Sequence, residues 1–168
     1  MSAKLLLRNF DGTMGRLEMT VRGGQTQAVF HTRFWNEADE LTEAALVFSE
    51  VIAVSFAVNY FDNPMGAELF GLYEIEDGAE KARLVRENFE TRRRNFLLAG
   101  YDGYDPEDPH DLLNDQTEMG RVLGKIGRYH LYEQQTQGGT YRLLARSHSV
   151  KTKEAEHGPV GPGTGAVE

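Results

Sequence analysis

The stretch "GLYEIEDGAEKARLVRENFETRRRNFLL" (residues 71–98) changes period in its middle, and that change decides the fold. Before Asp77 the residues belong to "AELFGLYEIE" (67–76), which reads as a strand. From Asp77 onward, Ala82, Val85, Phe89 and Phe96 recur along one helical stripe. Asp77 is the candidate N-cap, because its carboxylate can accept from the first free N–H groups of a helix. Gly100 stands just beyond the end, where a left-handed residue closes a helix. The spacing predicts one main helix over residues 78–98.

On the N-terminal side the period is two. "GRLEMTV" (15–21) alternates Leu17, Met19 and Val21 against Arg16, Glu18 and Thr20, and with "KLLLRNF" (4–10) it flanks "DGTM", so an opening hairpin is expected. After a Gly23-Gly24 turn, "QAVFHTRFW" (27–35) sets Ala28, Phe30, Thr32 and Phe34 against Val29, His31, Arg33 and Trp35, a third strand antiparallel to the second. In "NEADELTEAALVF" (36–48), Leu41, Ala44, Ala45 and Phe48 fall at helical spacing, which gives a short helix or an irregular link. "EVIAVSFAVNYF" (50–61) is a strand with Ile52, Val54, Phe56, Val58 and Tyr60 on one face. Small residues line the other, where another backbone can pack close. "DNPMG" joins this strand to 67–76 as a second hairpin.

Beyond the helix, "GRYHLYEQQ" (127–135) and "TYRLLARSHSV" (140–150) surround "TQGG" and form a closing hairpin. Hairpins with one main helix define an α+β fold: a twisted, mostly antiparallel sheet of about six to seven strands with the helix on one face. The 168 residues fit a single domain over 1–150, followed by a Gly/Pro-rich tail at 151–168 that carries no aromatic residue and is expected to be disordered.

Charge is sorted along the chain. Residues 36–80 hold eleven acids (Glu37, Asp39, Glu40, Glu43, Glu50, Asp62, Glu68, Glu74, Glu76, Asp77, Glu80) and no Lys or Arg, and 99–120 hold seven more acids without a base. Apart from Lys151 and Lys153, the bases sit in 1–35, 81–98 and 121–150. A net charge of −8 argues against general nucleic-acid or anionic-membrane affinity and for a basic partner. There is no cysteine, so disulfides, thiolate metal sites and cysteine nucleophiles are excluded, and the composition suits the cytoplasm. No run approaches the roughly 18 apolar residues of a membrane span.

The acidic loop "YDGYDPEDPH" (101–110) is the candidate partner-binding segment. Tyr101 and Tyr104 are its ring anchors, and Asp102, Asp105, Glu107, Asp108 and, just beyond, Asp111 its charges. Tyr adds contact area at small entropic cost, and Pro106 and Pro109 reduce what must be ordered on binding. Calcium is a poorer fit, since the spacing departs from an EF-hand and the prolines extend the backbone. The five histidines show no zinc spacing, and His31 and His130 are expected to hydrogen-bond near a sheet. No G-x-S-x-G surrounds a serine. "GRVLGKIG" (120–127) has the wrong gap for a phosphate loop, and "TRRRN" (91–95) complements the helix dipole. No cofactor or metal is expected.

The strand "FSEVIAVSF" (48–56), the strand "GLYEIEDG" (71–78) ending at a helix cap, and the hairpin "YHLYEQQ…YRLLARS" (129–147) follow in an order that resembles a group of small bacterial α+β proteins, often immunity proteins beside polymorphic toxins. The likeness covers about residues 48–148. It implies a non-enzymatic protein that binds and blocks a cognate effector, here a basic one. Two other readings stay open. One is a small-molecule-binding protein or enzyme with a pocket between sheet and helix, walled by Trp35, Tyr73, Tyr129 and Tyr141; the other is a structural subunit of a larger assembly.

Overall fold

The computed structural model describes residues 2–59, 68–101 and 115–154. Its simplest element is β3 (Gln25–Trp35), whose alternation buries Ala28, Phe30, Thr32 and Phe34 and leaves Arg33 and Trp35 in solvent. It pairs antiparallel with β2 (Thr13–Arg22) on one side and β4 (Leu41–Ser49) on the other, and β9 (Ser147–Glu154) closes a four-stranded sheet in the order β2-β3-β4-β9. The expected β2–β3 hairpin is therefore present.

A second, five-stranded antiparallel sheet stands behind it. It contains β1 (Ala3–Leu7), β5 (Ala53–Val58), β6 (Leu69–Ile75), β7 (His130–Thr136) and β8 (Gly139–Ala145), in the order β1-β6-β7-β8-β5. The coarse expectation of mostly antiparallel sheet with helix holds, but the single sheet is replaced by two. Phe30 and Phe48 from one sheet meet Tyr141 and Tyr132 from the other at ring-centroid distances of 5.2–5.5 Å, edge-on or tilted. Burial of each such side chain contributes about 1.5–3 kcal/mol.

Two expected hairpins do not form. β1 pairs with β6 rather than β2, with Leu5 opposite Tyr73, and β5 pairs with β8 rather than β6, with Phe56 opposite Tyr141. The β1–β2 connection crosses from one sheet to the other, whereas β5 and β6 lie in the same sheet with β7 and β8 between them. Residues 8–12 make that crossing, where buried Asn9 exchanges amide hydrogen bonds with buried Gln134 of β7 at 3.0 and 3.3 Å. The segment read as helix or link is instead a turn followed by β4. Ala44 and Phe48 satisfy both spacings, but Thr42 and Leu46 are buried with them, which only period two explains. β9 runs to Glu154, into the stretch assigned to the tail; residues 155–168 lie outside the described residues.

The helix α1 spans Gly78–Leu98. Asp77 caps it, accepting from the Ala79 and Glu80 N–H groups at 2.8 and 3.2 Å, and Gly100 follows at φ 89°, as the sequence predicted. Leu84 and Val85 are its buried residues. They pack on a row that crosses the five-stranded sheet, Ile75-Leu131-Leu144-Ala53, each opposite the next. α2 (Asp115–Leu123) and a 3-10 turn at Ile126–Arg128 complete this layer. The five-stranded sheet thus lies between the helices and the four-stranded sheet. At its β5 edge, Asn88 of α1 accepts from Val54 N–H at 3.2 Å and donates to Val54 C=O at 2.9 Å. The arginine run does not sit in the last helical turn. Arg92 instead donates to Glu118 of α2 at 2.7 Å and lies over the Phe89 and Phe96 rings.

Candidate partner-binding surface

Antiparallel pairing gathers at one end of the two sheets the β1–β2 loop (8–12), the β3–β4 turn (36–40) and the start of β6 (68–70). Two close contacts hold them there. Gly12 sits so tightly that a Cβ would come within 2.7 Å of both Asn9 C=O and Phe34 Cβ, so only glycine fits, and its carbonyl accepts from Leu69 N–H at 3.0 Å. Asn36 folds the turn by accepting from Ala38 and Glu40 N–H, each at 2.9 Å, while Asp39 takes φ 61°. Arg8, Glu37 and Glu40 line a shared cavity of about 340 Å³ with Leu7, Phe34 and Thr42.

The turn displays Glu37, Asp39 and Glu40 to solvent. Across the loop, a hydrogen bond with Asp11, then partial desolvation and the like charge of Asp11, hold the Glu68 carboxyl above its ordinary value. Among the described residues none of these five acids forms an ion pair with Lys or Arg. Large rings stand beside them: Phe10 is 44% exposed, Phe70 37% and Trp35 49%. Arg8, a cation at this end, lies 5.5 Å from the Phe10 ring centre.

Several acids elsewhere are engaged within the chain. Glu80 bonds Arg83 and Arg142, which hold its carboxyl below the usual range. Buried Glu133 accepts from Arg142 Nε at 2.7 Å, and Glu118 is bonded to Arg92. Among the described residues, Asp11, Glu37, Asp39, Glu40 and Glu68 come together at the end formed by 8–12, 36–40 and 68–70.

Of the expected site residues, Tyr101 is described. It follows α1, is 50% exposed, packs edge-on against Phe96, and its N–H donates to Phe96 C=O at 3.0 Å. Asp102, Tyr104, Asp105, Glu107, Asp108 and Asp111 lie outside the described residues. The proposed pocket walls do not converge: Trp35 is on the four-stranded sheet, Tyr141 is buried between the sheets, and Tyr73 and Tyr129 pack in the helix layer. Phe10 and Phe70 were not singled out from the sequence, since their exposure depends on where the crossing loop lies. Trp35 had a signal, because β3 alternation assigns it to the solvent side with Arg33.

A polar cluster bridges the sheets at the β9 side. Glu74 bonds His130 Nδ1 at 2.5 Å, and His148 of β9 lies 3.1 Å from the Tyr132 hydroxyl. Burial, then the Glu74 charge, push Tyr132 up to about 12, so its hydroxyl stays protonated. His130 bonds near the sheet as expected. Among the described residues no group of three or more His, Asp or Glu is placed to hold a metal ion, and no helix is long and apolar enough to cross a membrane. Comparison with family models, curated proteins and solved structures finds no match to this chain.

Proposed function

We propose that the chain is a non-catalytic binding protein that docks a basic protein on its acidic, ring-bearing end, as an immunity protein covers the cationic cleft of an effector. One observation carries the reading: Asp11, Glu37, Asp39, Glu40 and Glu68 have no Lys or Arg ion-pair partner among the described residues, and they surround three exposed aromatic rings. Exposed rings supply the contact energy of binding hot spots, and unneutralised carboxylates steer a cationic partner into register. The immunity role rests on the sequence resemblance, and the loop residues Asp102 to Asp111 extend the same charge in sequence.

The test is capture of a partner from the native host, with its affinity then measured at low and high salt. Wild type is compared with a Glu37→Gln/Asp39→Asn/Glu40→Gln variant. A basic partner should bind with an on-rate that falls about tenfold or more between about 0.05 and 0.5 M salt, and the variant should lose most of that dependence. Equal affinity at both salts, in both proteins, would sink the reading.

A further inference from the structure

The outer face of the four-stranded sheet carries a cleft of about 670 Å³, within the range of about 300–1,000 Å³ that small-molecule sites occupy. The sheet register builds it. Arg16, His31, Ala45 and Lys151 form one row across β2, β3, β4 and β9, each directly opposite the next. Three strand spacings of about 4.8 Å separate its cationic ends by about 14 Å. The floor between them is small, made of Gly15 and Ala45, and the register shift at Met14/Arg16 inserts Gly15 as an extra residue beside it. Arg33 and Glu43 line the adjacent row.

The charges here are not used up internally. Arg16 is bonded to Glu18 and lies 3.4 Å from His31, but Arg33 and Lys151 form no ion pair among the described residues. Among the described residues Glu43 is the one acid lining the cleft. On a chain of net charge −8, such a place concentrates small anions that most of the molecule repels. From the size, the apolar floor and the flanking cations, we infer that this cleft binds a small organic anion, a phosphate ester or carboxylate with an apolar body, held by Arg33 and Lys151. It is lined by different residues from the acidic end and does not depend on the protein-binding reading.

Trp35 makes the inference testable, because it is the sole tryptophan and sits on the same face of β3 two positions from Arg33. The full chain is titrated with phenyl phosphate and, separately, with phenylsuccinate, reading Trp35 fluorescence and the His31 ring resonances. One probe should saturate both signals at millimolar concentration or below, about 1 mM as a working scale. Saturation by the first assigns a phosphate ligand, and by the second a carboxylate. In an Arg33→Gln/Lys151→Gln variant binding should weaken at least about tenfold. Both side chains are exposed, so that variant should keep its circular dichroism spectrum. Failure of both probes to saturate, or undiminished binding by the folded variant, overturns the assignment.

Discussion

Along β3, buried and solvent-facing residues alternate, whereas along β7 Leu131, Tyr132, Glu133 and Gln134 are buried in succession. The two strands belong to sheets in different surroundings. The four-stranded sheet has its inner face against the core and its outer face lined with Arg16, His31, Arg33 and Glu43. The five-stranded sheet has the other sheet on one side and α1, α2 and the 3-10 turn on the other. A strand covered on both faces has nowhere to place a polar side chain in water, so each must find a partner inside. Glu133 finds Arg142, and Gln134 finds Asn9 and the Gly71 carbonyl.

Substitutions on the two sheets test that contrast. Leu144→Ala, under the helix layer, should lower unfolding free energy by about 2–5 kcal/mol, while Arg33→Gln on the open face stays within about 0.5 kcal/mol. Chemical denaturation measures both, and similar losses would erase the distinction. Gln134→Leu comes next. It strands the buried Asn9 amide and should cost about 1–3 kcal/mol on the same assay.

The smallest expected effect is a pH dependence where the sheets meet. Burial, opposed by Glu74 and aided by His130 and Lys4, holds His148 below its ordinary 6.5. The folded state therefore keeps His148 neutral at a pH where the unfolded chain takes up a proton. Stability should fall as pH drops through about 6.5 and level off once the folded-state value is passed. Melting temperature against pH should lose that slope in His148→Gln; an unchanged slope would assign it to other groups.

The contrast also explains what the sequence disclosed. Clean alternation made β2, β3 and their hairpin legible, and Asp77 with Gly100 bracketed α1 correctly. Strand partners were not legible for β1 and β5, because local pattern does not fix register between distant strands: β1 precedes a crossing between sheets, and β5 pairs with a strand more than 80 residues on. β4 was misread because Leu41, Ala44, Ala45 and Phe48 fit a helix as well as a buried strand. At the candidate surface the acids of 36–40 were evident. Their aromatic companions were not, because Phe10 and Phe70 come together only through the Gly12–Leu69 bridge.

Asn88 has a consequence for how the five-stranded sheet ends. Its side-chain amide presents to Val54 the donor and the acceptor that an adjoining strand would offer. The β5 margin is closed at that residue by imitation, so lateral growth into a larger ribbon or fibril there would first require a helix residue to let go.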